Sequence, residues 1–292
     1  MNIIGKIIDK FSNYLIKVGV NDEWMRGIVY LRYKILKNLY QEKNINHNFI
    51  VSLTSYPPRY PTLEYTIKCL LSQTIRPRQV VLWLYEEDEK ILPLSIKLLQ
   101  SETFKIKTTK ENYKSYTKIY PAIIEYPESY ILTADDDIFY NATWASQILK
   151  HSIPDDKRIL CHRAHRIAFD DDDNIKPYSQ WKWCIGGEVI HSGVDIFFTG
   201  VGGVLYPPAA IPAEDINPKF FLTLCERADD IWLYFMTIKN KYTPTKIPSD
   251  QLEYTWRSSQ EVALKHDNVD SRRNDEYIRK LVKIYGKPWE SN

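Results

Sequence analysis

The sequence predicts an α/β protein: a mostly parallel central sheet flanked by helices, preceded by a helical extension. Three observations predict it. Between residues 49 and 137, strand-like runs rich in β-branched and aromatic residues alternate with segments whose apolar residues recur at helix spacing. That order is the mark of strand–helix–strand units and a parallel sheet. The runs end in polar or acidic residues, and such sheets hold ligands beyond the carboxyl ends of their strands. Finally, 292 residues that are 44% hydrophobic and 26% charged suffice for one large domain with small additions at its ends.

Residues 1–46 read as a helical extension. Ile3, Ile4, Ile7, Ile8, Phe11, Leu15 and Ile16 recur at helix spacing, with Lys6, Lys10 and Lys17 between them. A second such run extends from Trp24 to Tyr40, with Arg26, Arg32, Lys34 and Lys37. Basic amphipathic helices either lie on anionic membrane surfaces or pack on a protein. The main domain, 47–250, opens with Phe49 to Thr54 as a buried strand, then a turn rich in proline at 57, 58 and 61. A helix over 62–73, a strand over Val80 to Tyr85, a short helix over 92–99 and a strand over 104–107 come next. A helix is expected over 116–125, and the strand 130–134 runs into Asp135-Asp136-Asp137. Residues 159–198 read as strand and hairpin, with the run Asp170 to Asn174 as a solvated turn, because Asp and Asn favour turns. Gly200, Gly202 and Gly203 read as a flexible loop and a helix is expected from Asp229. The tail, 251–292, is polar and reads as irregular apart from a short helix over 275–285.

Several function classes are excluded. A formal net charge of +2 does not suggest a nucleic-acid binder driven by bulk charge. The four cysteines, Cys69, Cys161, Cys184 and Cys225, have neither zinc-site spacing nor the density of a disulfide scaffold, so free thiols in a reducing cytoplasm are expected. Charges at Lys6, Asp9, Lys10 and Lys17 break up the first apolar stretch, so no secretory leader and no membrane span is expected. No G-x-x-x-x-G-K-[ST] loop occurs.

The strongest chemical feature is the acidic triplet after the apolar strand Tyr130 to Ala134. Carboxylates at a strand end point into the ligand crevice, and hard divalent ions such as Mn²⁺ or Mg²⁺ take one or two carboxylates together with phosphate oxygens. The second acidic pair, Asp229-Asp230, opens a helix, where an Asp is either a cap or a catalytic group.

The order Ile50 to Thr54, Val80 to Asp88, Leu132 to Asp137, Gly200-Val201-Gly202-Gly203 and Ala228 to Trp232 resembles the family 2-type GT-A glycosyltransferases. In particular it is similar to bacterial enzymes of capsular polysaccharide or lipopolysaccharide biosynthesis. The likeness covers about residues 48–250. It implies a GT-A (nucleotide-diphospho-sugar transferase) fold and a nucleotide-sugar donor, with a UDP-sugar expected. It further implies transfer with inversion to a saccharide or lipid-linked saccharide acceptor. Thr54 and Ser55 would hold base and ribose. Glu86 or Asp88 would contact the base, and which of the two matches the family's single Asp stays open. Lys114 and Lys118 would approach the diphosphate, unless they form a solvated helix face. Asp135 and Asp137 would ligate the metal, with Asp136 and the Gly202-Gly203 loop beside the donor, and His266 as an added ligand. The family carries a Glu-Asp pair where this chain has Asp229-Asp230, so Asp230 is the expected base and Asp229 the second choice. Trp181 and Trp183, two residues apart, would share a strand face and either stack on a sugar or pack in the core. The expected location is the cytoplasm, with peripheral contact at the inner face of the membrane through the first helices. A sugar-nucleotide nucleotidyltransferase is disfavoured, because Ser55-Tyr56-Pro57-Pro58-Arg59 carries no glycine where that class needs a phosphate loop. A carbohydrate-binding subunit with a decayed site is the non-enzymatic alternative.

Overall fold

The computed structural model of the chain describes residues 3–39, 48–249, 252–257, 259 and 273–290. Two helices come first, α1 (Ile3–Lys17) and α2 (Asp22–Leu39). The strands of the main sheet are β1 (Phe49–Thr54), β2 (Gln79–Tyr85), β3 (Phe104–Thr109), β4 (Tyr130–Thr133), β5 (Arg158–Cys161), β7 (His191–Ser192), β9 (Val204–Tyr206) and β10 (Thr243–Lys246). A separate antiparallel pair is formed by β6 (Ala164–Arg166) and β8 (Ile196–Phe198). The intervening helices are α3 (Tyr60–Leu71), α4 (Glu86–Lys90), α5 (Leu94–Lys97), α6 (Tyr120–Glu125), α7 (Trp144–Leu149), α8 (Pro218–Leu224) and α9 (Asp229–Lys239), and α10 (Arg273–Tyr285) lies near the end.

The main sheet has the order β3-β2-β1-β4-β9-β5-β10-β7. β1 pairs in parallel with β2 and β4, β2 with β3, and β5 with β10. Only β9, wedged between β4 and β5, and β7 at the edge run the other way. The predicted class, a mostly parallel sheet between helices, is what the chain forms. Alternate strand residues feed two cores. Ile50, Val81 and Ile131 face one, where α9 contributes Ile231, Trp232 and Phe235. Val51, Leu82 and Leu132 face the other, with Leu63 and Ile67 of α3 and Trp144 of α7. Burial on both faces explains the unbroken apolar runs.

The reversed strand has a consequence for the sheet's carboxyl edge. Because β9 is antiparallel to β4 and β5, its start lies where they end. The segment 199–203 is therefore delivered to the same edge as the acidic triplet.

The two N-terminal helices are tied down by polar contacts at helix ends. Asp9, buried, accepts from the backbone N–H groups of Ala142 (2.6 Å) and Thr143 (3.0 Å) and from the Thr143 hydroxyl (2.6 Å). It thus satisfies orphan donors at the start of α7, where negative charge is favoured. Arg32, 1% exposed, does the converse at the end of α3. It donates to the carbonyl of Cys69 (2.5 Å), the hydroxyl of Ser72 (2.9 Å) and the carbonyl of Tyr140 (2.6 Å). Among the described residues no helix is long and apolar enough to cross a membrane, and the four thiols are free.

Some expectations are corrected. The helix expected over 116–125 is a 3₁₀ turn, Lys114–Lys118, followed by α6. Pro121 near the start of α6 has no N–H to continue the earlier turn. The second strand ends at Tyr85 as expected, and Glu86 to Asp88 open a short helix, α4, that the sequence pattern does not predict. Tyr178 to Trp183 is not a strand: a 3₁₀ turn covers Tyr178–Gln180, and only single bridges join Arg166 with Lys182 and Phe169 with Ile175. Asp170 to Asn174 does form a solvated turn, with Asp170 accepting from the N–H groups of Asp172 and Asn174. Within the described part of the tail, Thr255 pairs with Ile138 and Trp256 is fully buried against Thr66. His266 lies outside the described residues.

Replacing Arg32 with Ala is expected to cost about 3 kcal/mol or more, because buried carbonyls lose their charged donor. Asp9→Ala is expected to cost less, about 1–2 kcal/mol, as a lost helix cap does. Urea unfolding of both variants reads the order, and a smaller loss for Arg32→Ala than for Asp9→Ala would contradict these roles.

Candidate active site

A cleft of about 590 Å³ opens along the carboxyl edge of β1, β2, β4 and β5. Thr54 and Ser55 from the end of β1, Asp88 from α4, Asp135 to Asp137 beyond β4, Gly200 ahead of β9, and Asp229 and Asp230 from α9 all line it.

Its centre is Lys118. The side chain is buried, and its ammonium lies 2.9 Å from Asp135 Oδ1 and 3.1 Å from Asp229 Oδ2. Burial alone would lower the lysine's pKa. The charges of Asp135, Asp229 and Asp230 outweigh it and push the pKa well above the usual range, so the side chain stays cationic. Ser52 holds the turn that carries it, because this buried hydroxyl within β1 donates to the carbonyl of Lys118. A polar residue in the middle of an apolar strand therefore has its partner. Lys118 is not on a solvated helix face. Lys114 is exposed at the rim and pairs with Glu226.

Asp230 sits beside this pair. The backbone N–H of Gly200 donates to both its carboxylate oxygens at 3.0 Å. A Cβ at Gly200 would stand 2.9 Å from Lys118 Nζ and 3.3 Å from Asp230 Oδ1, so a larger residue would push on the ends of both side chains. Burial, and then the charge of Asp229, push the Asp230 carboxyl up to about 7, against the opposing pull of Lys118 and Gly200.

The triplet itself divides its work. Asp135 faces Lys118, and its N–H donates to the Tyr140 hydroxyl at 2.8 Å. Asp136 accepts from the Ser55 hydroxyl at 2.5 Å, and burial followed by the charge of Asp137 raises its pKa. Asp137 is paired with Arg59, a buried residue that is not among the candidates drawn from the sequence. The signal for it lies in Pro57-Pro58-Arg59: a proline turn straight after β1 fixes where the next side chain points.

On the opposite wall, Arg163 donates to Thr199 at 2.9 Å and lies 3.3 Å from Glu253, while Trp183 stacks on His165 at 5.0 Å between ring centroids. Trp181 does not join it, being buried against Phe197 and Tyr178. Both tryptophans pack on Tyr178, at 4.6 and 5.3 Å between ring centroids, and only Trp183 of the two lines the cleft. Glu86 is exposed on α4 and does not line the cleft, whereas Asp88 does. Gly203 lies behind it, with Trp144 filling the space a side chain would need, and Gly202 lines a smaller adjoining hollow of about 200 Å³. Arg163, Arg227, Glu253 and Asn274 also line the main cleft and carry no local mark in the sequence, because distant segments bring them in.

Asp135 and Asp137 are hard oxygen donors of the kind a divalent ion takes. Among the described residues no group of three or more His, Cys, Asp or Glu side chains is gathered to hold an ion alone. Asp135 is already ion-paired with Lys118 and Asp137 with Arg59, so an ion such as Mn²⁺ or Mg²⁺ would have to share them, using their remaining oxygens with water and ligand phosphate oxygens.

No protein-family model matches the sequence, and no curated protein matches it. Among solved structures, the chain is similar to the 4-diphosphocytidyl-2C-methyl-D-erythritol synthase of Anaerococcus prevotii DSM 20548. The TM-score is 0.43 at 12% identity, covering 73% of this chain and 94% of that one. It is also similar to the UTP-bound UGPase of Acinetobacter baumannii, with a TM-score of 0.43 at 10% identity, covering 78% of this chain and 98% of that one. Overlaps of this size assign neither a family nor a reaction to this chain.

Replacing Lys118 with Met is expected to destabilise the fold by about 3–5 kcal/mol, since two carboxylates lose their shared counter-charge. Denaturant unfolding measures this, and adding Asp229→Asn should recover part of the loss. Additive losses in the double variant would show that the two residues are not coupled.

Proposed function

We propose that this protein is a metal-dependent glycosyltransferase that moves a sugar from a nucleotide-sugar donor to a saccharide acceptor. The observation that carries the reading is the meeting of two acidic clusters in one cleft. One sits beyond β4 and one at the start of α9, with the buried Lys118 joining them. The bacterial surface-polysaccharide setting and the UDP-sugar belong to this proposal through the sequence resemblance alone.

In this reading the base and ribose lie at the ends of β1 and β2, against Thr54, Ser55 and Asp88. Asp135 and Asp137 would hold a divalent ion, which would offset the negative charge of a departing diphosphate. Lys118 supplies a fixed positive charge at the same place. It needs no reorganisation as negative charge develops, because its position is set by ion pairs and by Ser52. Arg59 keeps Asp137 oriented. The acceptor enters from the side of Arg163, Trp183 and Glu253, where an aromatic face and hydrogen-bonding groups suit a sugar. Asp230 takes the proton of the attacking hydroxyl. Its raised pKa makes it a stronger base than an ordinary carboxylate while leaving it largely ionised just above neutrality. Asp229 serves Lys118 and is the second candidate for the base. Direct displacement by the acceptor hydroxyl inverts the anomeric carbon.

A nucleotidyltransferase would need backbone donors cradling a triphosphate after β1. Pro57 and Pro58 stand there instead and carry no N–H. Incubation with a panel of nucleotide sugars and Mn²⁺, beside nucleoside triphosphates with sugar phosphates, separates the two reactions. Transfer or slow donor hydrolysis only with the former is expected, and turnover only with the latter would refute the glycosyltransferase reading.

Asp137→Ala is expected to remove the Mn²⁺ dependence of nucleoside diphosphate binding, read by calorimetry with and without the ion. Asp230→Asn is expected to leave that binding within about twofold and lower kcat by about 10²–10⁴. For the wild type, kcat/KM should fall as pH drops through about 7, because a carboxylate with a raised pKa is protonated and inactive below it. A flat acid limb, or one at the ordinary carboxylate range, would remove Asp230 from the role.

A further inference from the structure

Helix α1 leaves most of its apolar side outside the protein core. The residues it buries are Gly5, Asp9 and Ser12, spaced four and three apart along one small, polar face. Leu15 and Ile16 are partly buried against the core, and the rest of the apolar side faces outward. Ile3 (70% exposed), Ile7 (61%), Phe11 (56%) and Tyr14 (60%) succeed one another at intervals of four, four and three residues, and Val18 continues the row past the helix end. At 100° per residue these five lie on one stripe. Lys6, Lys10 and Lys17, all exposed, fall along a single border of it. The one acidic residue of the helix is Asp9, turned inward and bonded to the start of α7, so the exposed side carries positive charge alone. Just beyond the next turn, Trp24 is 68% exposed.

We propose that this face docks on a membrane surface that carries anionic headgroups, with the helix lying in the interface plane. Charge and shape both select that occupant. An apolar stripe bordered by lysines matches acyl chains beneath anionic headgroups, and tryptophan is favoured at that boundary. A second copy of the chain matches less well. The stripe is about 22 Å long and roughly 10 Å wide, at the ordinary rise and diameter of a helix. Some ~220 Å² per partner is well below the ~800 Å² of a standard interface. Symmetric pairing of two such faces would also bring the lysine borders together. The hydrogen bonds of Asp9 and the packing of Leu15 and Ile16 hold the helix from its inner side, without using the outer stripe.

The test is co-sedimentation of the full chain with vesicles of phosphatidylglycerol and phosphatidylcholine, and with phosphatidylcholine alone. Binding to the anionic vesicles is expected, weakening with added salt. Ile7→Glu with Phe11→Glu should reduce it at least about tenfold, given the transfer free energy of two such side chains. Lys6→Glu with Lys10→Glu and Lys17→Glu should reduce it by a similar factor. Circular dichroism and unfolding of these variants should match the wild type, because every altered side chain is exposed. No binding to anionic vesicles, or equal binding by wild type and variants, overturns the proposal. So does a lipid-free dimer in sedimentation velocity that Ile7→Glu with Phe11→Glu dissolves.

Discussion

A single buried ammonium group, held between carboxylates from two distant parts of the chain, is the constraint on which the cleft depends. Lys118 cannot be buried uncharged at neutral pH beside Asp135, Asp229 and Asp230, and it cannot be buried charged without them. The end of β4 and the start of α9 are thereby fixed to each other through one atom. The other features of the site arrange themselves around this requirement. Ser52 commits its buried hydroxyl to the turn that carries the lysine. The reversed β9 brings Gly200 close enough for its N–H to meet Asp230. What a side chain there would disturb is the spacing of Lys118 and Asp230, not the backbone, since the φ of Gly200 lies outside the left-handed region.

The same use of charge at chain ends recurs away from the cleft. Asp9 and Arg32 do for α7 and α3 what apolar stripes do elsewhere, fastening an element by satisfying backbone groups that a helix end leaves open. In α1 the polar anchor works beside a short apolar contact, made by Leu15 and Ile16 against the core, and leaves Ile3, Ile7 and Phe11 at the surface.

Much of this is legible in the chain. The alternation of elements through residue 137 and the acidic triplet at a strand end follow from short-range periodicity, which the backbone geometry converts directly into strands and helices. Asp135 to Asp137, Asp229 and Asp230 stand out as candidates because each lies at the start or end of a regular element. Arg59, Arg163 and Glu253 do not, since their positions depend on turns and on the path of the tail. Lys118 is readable as a candidate but not as the hub, because its partners are far away in sequence. Trp181 and Trp183 show the opposite failure. Their spacing imitates a strand, whereas a 3₁₀ turn sends one ring to the core and leaves the other lining the cleft.

The stretch between β5 and β9 enters the main sheet only through the two residues of β7 at its outer edge. It carries Arg163, His165, Trp183 and Thr199 to one wall, while the facing wall is built from strand ends inside the sheet. The two walls therefore answer to different pressures. Apolar packing holds the first wall in place, because the stretch also sends Trp181, Ile196, Phe197 and Phe198 into the core beside α9. Ladder hydrogen bonds hold the second, so the cleft is framed by two materials of different stiffness.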